Sequence, residues 1–196
     1  MPNKSQAIRM MSPPVRIAYT AIWEPKAKEE THTPKYSCFM ILPKSGDPAV
    51  EKFIEDFKAA CNKILTEEYG TDKKKWPKKL WNPLRDPEAE WDDIAEAFED
   101  AFYIRPKSAK MPGVVDAQVQ PIVNHSEIYS GCYARISITL FHFDNESKGI
   151  TLSLNNIMKT GDGEAIGGAV SAENEFSEFA GQAQASTAKA TTDDGF

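Results

Sequence analysis

Residues 132–143 read CYARISITLFHF. Side chains of two kinds alternate along them. Ala134, Ile136, Ile138 and Leu140 fall on one face, and Tyr133, Arg135, Ser137, Thr139, Phe141 and Phe143 on the other. A two-residue period is that of a strand whose faces meet different surroundings. The aliphatic face belongs in a core. The other face mixes rings, a cation and small hydroxyls, so it either packs under a helix or stays open as a stacking surface. His142 shares the aliphatic phase and reads as a residue at the end of that core.

Similar segments lie on both sides. Residues 15–23 (VRIAYTAIW) and 35–42 (KYSCFMIL) are β-branched and aromatic and are bounded by prolines. AFYIR at 101–105, VVDAQVQ at 114–120 and GITLSLNNIM at 149–158 are further strand candidates. Asp144-Asn145 begins a hairpin turn before the last of them. One long helix interrupts the series. Asp47 caps it, and Pro48 fills its first position, where a missing N–H costs nothing. Val50, Phe53, Ile54, Phe57, Cys61, Ile64 and Leu65 recur at three- and four-residue spacing. Gly70 ends the helix, and a shorter helical piece is expected over 91–98.

The chain is therefore expected to be α+β and mainly β. About five strands around one excursion suit a small OB-fold-like barrel, with the helix and a basic loop between the early and late strands. Residues 1–160 form that domain, with the insertion at about 44–100. A loop and short helix follow at 161–180, and a disordered acidic tail at 181–196. The sequence GQAQASTAKATTDDGF has too little apolar surface to offset its ordering entropy.

The 196 residues carry 23 Lys+Arg and 29 Asp+Glu, a net charge of −6. That figure first argues against a nucleic-acid partner. All of the excess, however, lies in residues 162–196, with seven acids and Lys189; the other 161 residues hold 22 bases and 22 acids. Within that neutral body, DKKKWPKKLWNPLR at 72–85 has six bases against Asp72. An acidic run from Asp86 to Asp100 follows, either a solvated helical face or a charge partner for the basic stretch.

Single-strand binding needs cations along the phosphates and flat side chains against the bases. Lys73, Lys74, Lys75, Lys78, Lys79 and Arg85 alternate with Trp76 and Trp81 and supply both. Arg105, Lys107 and Lys110 form a second short basic segment. Tyr133, Arg135 and Phe141 offer a stacking face on the strand. The tail can compete with phosphate for the basic surface. Its end, Asp193-Asp194-Gly195-Phe196, also makes a docking peptide of one ring and two carboxylates.

Other chemistries lack their residues. Neither GxxxxGK[ST] nor GxGxxG occurs, and GDGEAIGG at 161–168 reads as a loop. His32, His125 and His142 are scattered, so no catalytic or metal constellation stands out. No run approaches the ~20 apolar residues of a membrane span, and the first residues lack a secretory h-region. Cys38, Cys61 and Cys132 suit a reducing cytoplasm.

Several segments together carry a resemblance: VRIAYTAIWEP (15–25), KYSCFMILPK (35–44), GVVDAQVQPI (113–122), YSGCYARISITLFHFDNESKGITLSLNNIMKTGDGEAIGG (129–168) and the acidic tail ending in Phe196. The chain resembles the single-stranded DNA-binding proteins of tailed bacteriophages, which have an OB-fold core. The resemblance implies a protein of DNA replication or recombination in the cytoplasm of an infected bacterial host. It implies no catalytic residue and no cofactor. It also implies contact of the tail with replication proteins such as a polymerase or helicase–primase. An exposed edge strand could pair two copies into a homodimer. The alternative is a phage nuclease or recombination enzyme.

Overall fold

The computed structural model describes residues 5–27 and 33–167. Its elements in chain order are β1 (Ile8–Met11), β2 (Val15–Lys26), β3 (Lys35–Pro43), α1 (Pro48–Tyr69), β4 (Ala101–Ile104), β5 (Lys107–Ser108), β6 (Gly113–Val115), β7 (Tyr133–Asp144) and β8 (Lys148–Gly161). Among the described residues the regular structure is mostly strand, with one long helix.

The strand pairings close on themselves. β7 pairs antiparallel with β2, β2 with β3 and β3 with β5; β5 runs parallel to β8, which returns antiparallel to β7. β1 extends the pairing along β7, β4 adds to β3, and β6 runs parallel to β8. A surface of strands closed in this way has an inside and an outside, and each strand's alternation sorts its residues between them.

The alternation of β7 is realised. Ala134, Ile136, Ile138 and Leu140 are fully buried in the main core. The register partners of Ile136, Ile138 and Leu140, namely Ile8, Met10, Leu152, Leu154 and Ile157, lie in or against the same core. At the corner between β1 and β2, buried Ser12 replaces the regular ladder. Its N–H donates to Ile136 O at 3.0 Å, and its Oγ accepts from Ile136 N at 2.9 Å.

The expected caps of α1 are present. Asp47 Oδ1 accepts from Ala49 N (2.9 Å) and Val50 N (3.3 Å), and Gly70 N donates to Thr66 O (2.8 Å). Gly70 has φ +87°, a conformation glycine adopts without a Cβ penalty. Val50, Phe53, Ile54, Phe57, Ala60 and Ile64 bury the helix against the aliphatic side of β7. The rings of β7 therefore do not pack under the helix, which resolves the choice left open by the sequence.

Other expectations need correction. The described residues hold eight strands rather than about five: the six segments read as strands are joined by β1 and β5, which are too short to show a period. The 114–120 strand stops at Val115. Asp116 Oδ1 then accepts from Gln118 N and Gln120 N, both at 2.8 Å, and turns the chain. No α-helix covers 91–98; single 3-10 turns lie at Pro87–Ala89 and Glu96–Phe98. Trp91, Ile94 and Phe98 have a helix-like spacing, but they are spread over the outside of the sheet. There they cover Ala18, Phe39, Ile41 and Tyr103 in a second apolar cluster. Burial of those rings outweighs local helical propensity. The expected tail at 181–196, and the 161–180 segment beyond Gly167, lie outside the described residues.

Candidate nucleic-acid interface

Trp91 and Phe98 cover only part of the outer surface, and a groove of about 780 Å³ lies beside them. Its walls carry the rings of Phe39, Trp81, Tyr103, Phe141 and Phe143. Lys35, Arg85, Arg105 and Lys107 supply positive charge, and among the described residues no acidic side chain lines it. Asn145 and Ser147, from the β7–β8 hairpin, close one end.

Strand phase places most of these groups. On β3, Cys38, Met40 and Leu42 point inward, so Lys35 and Phe39 point outward. Ser37 is register partner to Lys107, and Lys107 to Ser153, which brings Lys107 to the outer surface. Phe141 pairs with Thr151 and Phe143 with Gly149 on the same side. Arg105 Nη2 donates to Ser37 Oγ at 3.3 Å, and its guanidinium lies 4.8 Å from the Phe39 ring centre. Burial holds Arg105 below its ordinary arginine pKa.

Trp81 is on irregular chain, yet its backbone is fixed. Its N–H donates to Lys148 O (2.8 Å), and its carbonyl accepts from Ile150 N (3.1 Å), a parallel bridge onto the start of β8. This contact requires Gly149. Its φ is +150°, and a Cβ there would sit 2.5 Å from Trp81 N and 2.8 Å from Trp81 Cα. Trp81 is 51% exposed. The Arg85 guanidinium lies 4.5 Å from its ring centre, within the range of cation–π attraction.

Arg85 is held in turn. Its backbone exchanges two 2.9 Å hydrogen bonds with Tyr103. Its Nε donates to Glu90 Oε1, and Tyr103 Oη donates to Glu90 Oε2 at 3.1 Å. Glu90 raises the pKa of Arg85 through that bond. Tyr103 is raised as well, first by burial and then by Glu90.

The groove thus unites Trp81, Arg85, Arg105, Lys107 and Phe141 from the sequence candidates. It leaves out the others. Lys73, Lys74 and Lys75 form an exposed 3-10 turn capped by Asp72, beyond the end of α1. Trp76 closes the helix end, its Nε1 donating to Gly70 O at 2.9 Å, and Lys73 Nζ sits 5.5 Å from its ring centre. Lys78 and Lys79 are exposed between Trp76 and the groove.

Tyr133 and Arg135 share the outer face of β7 with Phe141, at the other end of the strand. At ~3.3 Å per residue, Tyr133 is about 26 Å along the strand from Phe141. The stretch between is polar. Arg9 Nε donates to Ser137 Oγ (3.1 Å), and Asn155 Nδ2 donates to Thr139 Oγ1 (2.9 Å). Arg135 Nη1 donates to Ser12 O at 3.4 Å. Asp193, Asp194 and Phe196 lie outside the described residues.

Sequence reasoning missed Lys35, Phe39 and Tyr103 as groove residues, and noted Phe143 only as a ring on the β7 face. Phe39 and Tyr103 look like core residues in the sequence because Phe39 sits in the apolar run Cys38–Leu42 and Tyr103 in the apolar strand β4. Only pairing of β3 with β4, Met40 to Ile104 and Ile41 to Tyr103, fixes which residues face out.

Residues 8–187 match the family model described as "Enterobacter phage Enc34, ssDNA-binding protein". A curated relative, putative protein p50 of Acyrthosiphon pisum secondary endosymbiont phage 1, is 28% identical over 177 residues, 84% of this chain and 90% of its own length. Among solved structures, the single-stranded DNA-binding protein of bacteriophage Enc34 in complex with ssDNA has a TM-score of 0.64 at 22% identity. That match covers 81% of this chain and 89% of the other. The single-stranded DNA-binding protein encoded by bacteriophage T7 has a TM-score of 0.59 at 13% identity, covering 80% and 93%. The two structural matches agree on the fold, and the family model spans nearly all of the sequence. The chain belongs to the phage single-stranded DNA-binding protein family typified by that of Enterobacter phage Enc34.

Proposed function

We propose that the chain binds single-stranded DNA in the Phe39–Trp81–Phe141 groove, tolerating any sequence, and serves phage DNA replication or recombination in the cytoplasm of the infected host. The observation that carries this reading is the groove's composition: five rings and four cations, with no carboxylate among the described residues that line it. Rings accept any base, because every base has a π-face, and the cations replace condensed counterions on the phosphates. The solved relative from Enc34 is described in complex with ssDNA. The family consists of DNA-binding proteins rather than enzymes. The closed circuit of pairings, with the β7–β8 hairpin at one end of the groove, supports an OB-type barrel with the groove on its outer wall.

The exposed lysines at 73–79 extend the positive surface from the groove toward the end of α1. Arg9, Arg135 and Tyr133 extend it along β7. The acidic tail competes with DNA for this surface, and Asp193, Asp194 and Phe196 form its contact with a polymerase or helicase–primase.

A titration of the full chain with fluorescently labelled oligothymidylate at two salt concentrations tests the groove. Affinity is expected to fall as salt rises. Trp81→Ala should weaken binding about fivefold to a hundredfold, given ~1–3 kcal/mol per stacked base. Equal affinity for Trp81→Ala and the native chain would place the strand elsewhere.

A further inference from the structure

Glu90 lies beside a surface proposed to hold phosphates. Simple electrostatics makes a carboxylate there unfavourable for binding. Its geometry assigns it a different part. One carboxylate oxygen takes the Arg85 Nε–H and the other takes the Tyr103 hydroxyl, so two groove residues from different segments share one anchor. The ion pair is largely shielded, with side-chain exposures of 29% for Arg85 and 24% for Glu90. Arg85 also covers one side of the Trp81 indole, which remains half exposed.

An arginine side chain unconstrained in solvent has many rotamers and loses that freedom on binding. Here the loss is incurred on folding. Glu90 and Trp81 fix the guanidinium before DNA arrives. The contact to Glu90 uses Nε, the nitrogen nearest the stem, and so orients the whole planar group.

We propose that Glu90 is a positioning residue for single-strand binding, a role that rests on the groove reading above. Its carboxylate locks Arg85 over Trp81 and orders Tyr103, and this preorganisation outweighs its repulsion of phosphate. The acidic segment that begins at Asp86 therefore serves the groove as well as covering the neighbouring apolar cluster.

The sign of one measurement decides between positioning and repulsion. Oligothymidylate is titrated against the full chain carrying Glu90→Gln or Glu90→Asp, in native and Arg85→Ala backgrounds, at two salt concentrations. Positioning requires weaker binding by Glu90→Gln, about three- to tenfold, although the substitution removes a negative charge. The salt slope should become shallower by about 0.7, one phosphate contact on a single strand. In the Arg85→Ala background the loss should shrink to the part carried by Tyr103, a non-additivity that general destabilisation would not produce. Glu90→Asp keeps the charge and shortens the reach, so it too should weaken binding; it also provides the test if Glu90→Gln fails to fold. Unchanged or tighter binding by Glu90→Gln, or native affinity for Glu90→Asp, overturns the positioning role while leaving the groove reading intact. Failure of the native chain to bind overturns both.

Discussion

Leu140 and Phe141 are neighbours in sequence and do opposite work. Leu140 is fully buried among the aliphatic residues of β1, β8 and α1. Phe141 is half-buried on the groove wall. Leu140→Ala should lower stability by about 2–5 kcal/mol, the loss from leaving a cavity in a close-packed core. Phe141→Ala should leave the melting temperature nearly unchanged and weaken oligothymidylate binding. Thermal unfolding and titration of the two variants read out this division, and a large stability loss for Phe141→Ala would mean its ring is structural. Period-two alternation alone reveals this pair. The two tryptophans of the basic stretch show where spacing stops being informative. Trp76 and Trp81 look equivalent, each set among lysines with a proline nearby. Trp76 closes a helix end six residues back, at Gly70. Trp81 is joined to Gly149, sixty-eight residues ahead. Local pattern does not encode a partner at that range.

Among the elements, α1 and the long strands were legible because each carries one unmistakable period and, for the helix, both caps. The 86–100 segment was not. Its charges suggest a solvated face, and its apolar spacing suggests a helix. Its actual conformation is set by the sheet it covers, with Trp91 and Phe98 seated against Phe39 and Tyr103. Residues 161–167 form a similar strap over the β2–β7 end. Lys159 Nζ and Asp162 Oδ1 are 2.6 Å apart, Tyr129 Oη donates to Asp162 Oδ1 at 3.2 Å, and Ile166 N donates to Ser130 O at 2.8 Å. Lys159, more than Tyr129, holds the Asp162 carboxyl below its ordinary 3.8. A depressed carboxyl pKa stabilises the folded form above the ordinary value, and that contribution is lost as pH falls through the folded one. Amide exchange at Ile166 should therefore be faster in Asp162→Asn than in the native chain at neutral pH. The difference should close as the pH drops well below 3.8. A constant difference across that range would show that the carboxylate charge is not what fastens the strap.

For the molecule as a whole, the net charge of −6 conceals a neutral body with a positive groove and an acidic C-terminal segment. If that segment competes with DNA by charge, the effect of removing it should scale with the charge removed. Residues 182–196 hold two acids and Lys189, a net of −1. Residues 168–196 hold five acids and the same lysine, a net of −4. A chain ending at Gly181 should bind oligothymidylate modestly more tightly than the full chain at low salt. A chain ending at Gly167 retains every described strand and should bind more tightly still. Screening shortens the range of charge interactions to about 10 Å at 0.1 M salt, so all three affinities should converge as salt rises. Competition by the terminal Phe196 ring would act differently: both truncations remove it, so they would gain equally and keep the gain in salt. Titrating the three chains at two salt concentrations separates the mechanisms. A graded, salt-sensitive series supports competition by charge, and an equal, salt-resistant gain assigns the competition to the ring.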